Sequence, residues 1–192
     1  GKDESFNRSS LSYQPFILAV DRSKLSVLDP QNGQEIAFYK ASCNTITSPV
    51  AVKGIIYLQG NAIHAIDSKP ILSKKEKSIE LSPVWIEEKL RCDNPSPIVD
   101  QETESLYVLK QPGILIAADI QSGEILWQLR LQGPFWATPV LLGNKIAAIN
   151  QNGLLQIVEL SDEKGKIIES IDFAEKSLAT PVILNDGLLI RS

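Results

Sequence analysis

Histidine occurs once in this 192-residue chain, at His64, and cysteine twice, at Cys43 and Cys92. Together they cannot supply the four nitrogen or sulfur ligands of a usual structural zinc site, and two cysteines are too few for a disulfide framework. Each cysteine lies four or five residues before a Ser-Pro step, Ser48-Pro49 or Ser96-Pro97. Those places look equivalent in neighbouring repeats, farther apart than the about 7 Å between Cα atoms that a disulfide spans. Two buried or partly buried free thiols are expected, acting as small core hydrophobes.

Long apolar runs are also missing. No segment approaches the about 20 residues that cross a bilayer as a helix, and no basic-then-apolar leader opens the chain. Gly1 precedes a polar stretch, Lys2 to Ser12, which reads as part of a flexible tail over residues 1–14 and as a cut edge or cloning scar. A signal peptide removed earlier is compatible with that reading. Charge of one sign is scarce: 19 basic against 23 acidic residues give −4, and Lys74-Lys75-Glu76-Lys77 is the one dense patch. A nucleic-acid surface needs a basic stripe, often interleaved with stacking aromatics, whereas the Phe, Tyr and Trp residues here are scattered through strand-like segments. Neither a nucleic-acid partner nor a membrane span is expected. With 43% hydrophobic and 22% charged residues the composition is that of a globular chain.

What is present is a repeat. Ser48-Pro49-Val50, Ser96-Pro97-Ile98, Thr138-Pro139-Val140 and Thr180-Pro181-Val182 each open an apolar segment that soon reaches a turn, at spacings of 48, 42 and 42 residues. A period in the low forties suits a four-stranded blade, and the long 3.6-residue periodicity that two-helix repeats require is absent. Within one repeat, Pro139–Leu142 and Lys145–Asn150 are separated by Gly143-Asn144, and Asn152-Gly153 precedes Leu154–Leu160. Both dipeptides tolerate the positive φ of hairpin turns. Lys166–Phe173 alternates partly, as a half-exposed outer strand does, while inner strands are expected to be more uniformly apolar.

The expected fold is an all-β β-propeller of four-stranded antiparallel blades, with about four blades present as part of a larger ring. The layout gives a partial blade over 15–47, blades over 48–95, 96–137 and 138–179, and a partial blade over 180–192. The first partial copy carries strands at Phe16–Val20, Leu25–Asp29 and Glu35–Tyr39. A small closed four-bladed ring is the alternative.

The stretch Ala117-Ala118-Asp119-Ile120-Gln121-Ser122-Gly123-Glu124-Ile125-Leu126-Trp127 resembles the tryptophan-docking motif of PQQ-like propellers, with Ala, Asp, Gly and Trp all in place. In such a motif Asp119 takes turn amides, Gly123 supplies positive φ and Trp127 wedges against the next blade. Weaker copies are Leu28-Asp29-Pro30-Gln31-Asn32-Gly33, with Ala37 where the tryptophan falls, and Ala65-Ile66-Asp67, whose glycine gives way to a Lys-rich loop. The Gly-His and Trp-Asp signature of the main competing propeller repeat is absent.

The resemblance implies either a quinone-dependent dehydrogenase or a scaffold. The dehydrogenases hold the quinone with calcium, two adjacent cysteines and an aspartate base. No Cys-Cys dipeptide occurs here. Asp162-Glu163 and Glu87-Glu88 sit in turn-like or outer-strand stretches where solvated charge accounts for them, short of the about six oxygen ligands calcium takes. His64, between Ile63 and Ala65, lacks a nucleophile elbow and reads as a satisfied sheet histidine. Glu102 and Glu104 lie in a turn and read as solvated rather than as the carboxylate pair of a glycosidase. Gly113, Gly123 and Gly133 are isolated and make no phosphate loop. Phe135-Trp136 and Trp85 are read as packing between blades, with a partner anchor as the alternative. The insertion Ser68–Ser82, with Lys69, Lys74, Lys75 and Lys77, is read as a solvated linker.

No catalytic, cofactor-binding or metal residue is assigned. Scaffold members of the family, among them outer-membrane assembly propeller lipoproteins, keep the repeat without the quinone site. The expectation is accordingly a non-catalytic scaffold that binds protein or carbohydrate, placed by the resemblance in the periplasm or outside a bacterial cell. Its partner would be a protein or the remainder of a larger propeller, and the sheet edges allow self-association, as in a dimerising sensor domain. The alternative is a fragment of a quinone-dependent dehydrogenase whose active-site residues lie elsewhere.

Overall fold

A hairpin returns the chain after almost every strand, because short apolar segments alternate with Gly, Asn, Asp and Ser residues that accept or brace tight turns. The computed structural model describes residues 16–72, 78–184 and 187–191. The expected tail over 1–14 and Lys74, Lys75 and Lys77 of the insertion lie outside these residues. The strands are β1 (Ile17–Val20), β2 (Lys24–Leu28), β3 (Glu35–Lys40), β4 (Val50–Val52), β5 (Ile55–Gln59), β6 (Ile63–Asp67), β7 (Ile79–Glu80), β8 (Pro83–Glu87) and β9 (Ile98–Asp100). They continue as β10 (Ser105–Lys110), β11 (Ile114–Asp119), β12 (Ile125–Arg130), β13 (Val140–Leu142), β14 (Lys145–Ile149), β15 (Leu154–Leu160), β16 (Gly165–Asp172), β17 (Val182–Leu184) and β18 (Gly187–Leu189).

Three four-stranded antiparallel blades result, β4-β5-β6-β8, β9-β10-β11-β12 and β13-β14-β15-β16. The sheet β1-β2-β3-β7 precedes them and the hairpin β17-β18 follows. The architecture is a β-propeller whose arc of sheets is not closed. A register shift falls at the same point of each third strand, at Ala65/Ile66, Ala117/Ala118 and Ile157/Val158, and again at Val27/Leu28. That shared bulge equates β2 with β6, β11 and β15, so β1–β3 are the second to fourth strands of a blade. Their sheet gains β7 on its outer side, running parallel to β3 with Ile79 opposite Ala37.

The uniformly apolar inner strands are the second and third of each blade, such as β5, β10, β11 and β14. Those middle strands have a blade on both faces, whereas β13 is only half-buried. The insertion Ser68–Ser82 is not simply a solvated linker: its leading part forms a short 3₁₀ helix, Lys69–Leu72, and its trailing part supplies β7 and the buried Leu81. Ile71, Ile79 and Leu81 pack with Leu25, Val27 and Ala37 between the first two sheets.

The recurring Ser/Thr-Pro step joins one blade to the next. The Ser48 N–H donates to Ser96 Oγ (3.0 Å), the Ser96 N–H to Thr138 Oγ1 (2.9 Å) and the Thr138 N–H to Thr180 Oγ1 (3.2 Å). Each hydroxyl accepts the amide of the equivalent residue one blade back, where the first strands β4, β9, β13 and β17 approach one another. Serine or threonine serves equally because only the oxygen is used. Thr138→Val should lower stability by about 1 kcal/mol, the usual net worth of one such bond, while Thr138→Ser stays near the parent. Urea unfolding of the pair checks this, and equal losses from both would show the hydroxyl bond to be immaterial.

Candidate functional site

The joints between blades are built by one device. Asp119 Oδ1 accepts the amides of Gln121 (3.0 Å) and Ser122 (2.7 Å), and the Gly123 N–H returns to the Asp119 carbonyl (2.9 Å). Asp29 repeats the pattern, taking the Gln31 amide at 2.8 Å while its carbonyl takes the Gly33 N–H. Gly33 and Gly123 hold φ of 72° and 75°, the left-handed region in which a Cβ is strained. On the strand after each turn, Ala117 pairs with Trp127, Ala65 with Trp85 and Val27 with Ala37.

Trp85 is therefore the docking tryptophan of its blade, a role the insertion Ser68–Ser82 conceals in the sequence. Its Nε1–H donates to the Ile120 carbonyl (3.1 Å), as Trp127 Nε1–H donates to the Ser161 carbonyl (3.1 Å). A Cβ added at Gly123 would lie 2.8 Å from the Trp85 ring, and one at Gly165 would lie 2.9 Å from Trp127. Each indole thus lies on the glycine of the next blade. Where the first sheet has Ala37 instead, Ile71, Ile79 and Leu81 from the insertion fill the joint.

That insertion also shapes a cleft. Between the second and third sheets lies a cleft of about 420 Å³, walled by Trp85, Tyr57, Ile120, Val52 and Val84 and rimmed by Lys53, Lys69, Glu104 and Gln121. The Tyr57 hydroxyl donates to the same Ile120 carbonyl that Trp85 uses (3.0 Å), and burial pushes this phenol up to about 12, so it stays a neutral donor. Across the rim Lys53 Nζ lies 3.1 Å from Glu104 Oε1, and Gln121 Nε2 donates to Glu104 Oε2 at 3.2 Å. Lys53 and Glu104 both hold left-handed backbone, φ 48° and 51°. Both residues lie in the tight turns that lead into β5 and β10, where hairpin geometry calls for positive φ.

The remaining candidates are dispersed. Cys43 and Cys92 are free and buried, and burial pushes their thiols up to about 11 and about 12. Such thiols are poor nucleophiles. His64, only 6% exposed, receives the Tyr39 hydroxyl at Nδ1 (2.9 Å) and offers Nε2–H towards Asn61 Oδ1 (3.4 Å). This pair ties β3 to β6 across the first joint, and among the described residues the His64 ring bonds only to Tyr39 and Asn61. Glu87 caps the short 3₁₀ helix Glu88–Leu90 by accepting the Lys89 amide, while Asp162 and Glu163 lie exposed in the turn before β16. Glu102 is exposed in the turn braced by Asp100, apart from the Glu104–Lys53 pair. Phe135 is fully buried in the next joint, and Trp136 is 42% exposed. Among the described residues no group of three His, Cys, Asp or Glu side chains is placed to hold a metal.

Residues 82–168 match the family model described as outer membrane protein assembly factor BamB. The crystal structure of BamB from Moraxella catarrhalis superposes with a TM-score of 0.69 at 14% identity, covering 92% of this chain and 55% of that one. The computationally designed protein Ika8 superposes with a TM-score of 0.70 at 12% identity, covering 90% of this chain and 51% of that one. The chain thus spans about half the length of these solved structures. No curated protein matches the sequence.

Gly33 and Gly123 provide a matched test of the docking device. Nothing lies within 4 Å of a Cβ at Gly33, so Gly33→Ala should cost only the left-handed penalty, about 1–2 kcal/mol. Gly123→Ala adds the collision with Trp85 and should cost clearly more, about 3 kcal/mol or beyond. Equal losses in denaturant unfolding would mean that Trp85 does not seat on Gly123.

His64 gives a pH dependence. Burial lowers its pKa from 6.5, so the unfolded chain binds the proton more readily and stability falls as the pH drops below that value. His64→Gln should flatten the stability profile between about pH 7.5 and about pH 5.5. Parallel profiles for both proteins would contradict the burial.

Proposed function

Because the chain carries the repeats of the PQQ-like β-propeller family, we propose that it is a non-catalytic scaffold whose blade faces and open sheet edges hold a protein partner. The observation that carries this reading is the apolar face of the terminal hairpin. Val182, Ile183, Leu184 and Leu189 are 49–57% exposed on β17 and β18. Ile168, Ile171 and Phe173, on and just after β16, the outer strand of the preceding blade, are exposed as well. Four exposed aliphatic side chains on a hairpin with unpaired strand edges are a liability in water and call for a protein cover.

The cover is of the kind the joints already use: a sheet that presents apolar side chains to β17 and β18 and extends the arc. Further blades of a larger ring satisfy that description, and so does an assembly partner. The description of the matching family as an outer membrane protein assembly factor supports the assembly reading. In that setting the scaffold works in an extracytoplasmic compartment of a bacterium. Protein is favoured over carbohydrate because the exposed surface is aliphatic.

A photo-reactive residue placed at Ile183 in the native cell should give one discrete protein-derived adduct, within the same polypeptide or to a partner. The same residue at the exposed Lys164 serves as control and should give none. Leu184→Asp should abolish the Ile183 adduct. An Ile183 probe that reacts only with water, in a protein whose β17 and β18 amides exchange as freely as in a peptide, would overturn the reading.

A further inference from the structure

The cleft between the second and third sheets has the chemistry of a ligand site that the scaffold reading leaves unused. Its volume of about 420 Å³ lies towards the small end of the range of about 300–1,000 Å³ for small-molecule pockets. The Trp85 Nε1–H and the Tyr57 hydroxyl both end on the Ile120 carbonyl. With its N–H engaged there, Trp85 turns only ring surface to the cleft; Tyr57, fully buried, backs that ring, and the exposed Val84 lines the open side.

The rim has a sign. Glu104 is satisfied by Lys53 and by Gln121. Lys69 makes no ion pair among the described residues. Its stem lies against Gly54, with Cγ and Cε 3.6 and 3.8 Å from where a Cβ would be, and its amide is fixed by Asp67 Oδ1 at 2.9 Å. Anchored at backbone and stem, Lys69 stands on the rim of the cleft, where Glu104 is already paired with Lys53.

We propose that this cleft binds a small aromatic carboxylate, its ring against Trp85 and Val84 and its carboxylate at Lys69. The apolar walls supply the body of the interaction, since aromatic faces bury large area and favour tilted or offset partners. The Lys69 ammonium, without an ion pair among the described residues, sets the sign of the ligand. A cationic aromatic meets Lys69 and Lys53, and Glu104, the acid among the described lining residues, is already paired. The inference is independent of the protein-binding reading, because the cleft lies two blades away from β17 and β18.

The test is a titration of the chain with 3-phenylpropionate, 3-phenylpropanamide and 3-phenylpropylammonium, read on the indole Nε1–H resonances. The carboxylate should shift the Trp85 indole and leave Trp127 in place. It should bind about fivefold tighter than the amide, the ratio that one exposed ion pair provides, and lose that advantage in high salt. Lys69→Gln should abolish the advantage while amide binding persists, showing that the walls remain intact, and Lys69→Glu should shift the preference to the ammonium. Absence of any Trp85 shift up to about 10 mM carboxylate, weaker than useful binding by the usual affinity arithmetic, would overturn the proposal. So would a carboxylate-to-amide ratio unchanged by Lys69→Gln.

Discussion

The structure depends on the contact between an indole and the turn of the following blade. A single four-stranded sheet of this length has two apolar faces and cannot bury either alone, so stability comes from stacking one sheet on the next. Trp85 and Trp127 make that stacking specific. Each places a ring over a glycine, Gly123 or Gly165, and donates its one N–H to a carbonyl in the same turn. The contact fixes the approach of the two sheets because ring and hydrogen bond must be satisfied together. On the inner side, the relay from Ser48 through Ser96 and Thr138 to Thr180 fixes the same approach independently. Two fastenings at opposite edges of a joint prevent both sliding and hinging.

The joints are not identical, and their differences carry the distinctive features of the molecule. The first lacks its tryptophan, and with Ala37 fully buried the space is taken by Ile71, Ile79 and Leu81 from the insertion. The same joint carries the Tyr39–His64 hydrogen bond, so a buried titratable pair lies where the standard device is missing. The second joint has its tryptophan but also receives the leading end of the insertion, which delivers Lys69 to the rim of the cleft. One insertion thus plugs the joint before its own blade and furnishes the joint after it.

The sequence was legible where the physics is local. The repeat spacing, the turn dipeptides and the complete motif from Ala117 to Trp127 announce four-stranded blades, because hairpin turns and docking aspartates depend on a few consecutive residues. The place of Trp85 was not legible. Its spacing from Asp67 is broken by the insertion, and only the pairing of Ala65 with Trp85, in the register of Ala117 with Trp127, reveals the equivalence. The parallel strand β7 was equally hidden, since Ile79-Glu80 is too short to show a period and gains its strand character from β3.

By itself the sequence determined the blade as a unit, the order of its hairpins and the chemistry of its turns, since these follow from residues close together along the chain. Tertiary structure decided what depends on residues far apart: that the first sheet consists of the second to fourth strands of a blade, that an insertion replaces a missing indole, and that Lys69 meets Trp85 and Glu104 around one cleft. Those outcomes are set by the stacking of sheets. Stacking is governed by the volume left at each joint, and no local pattern of residues encodes that volume.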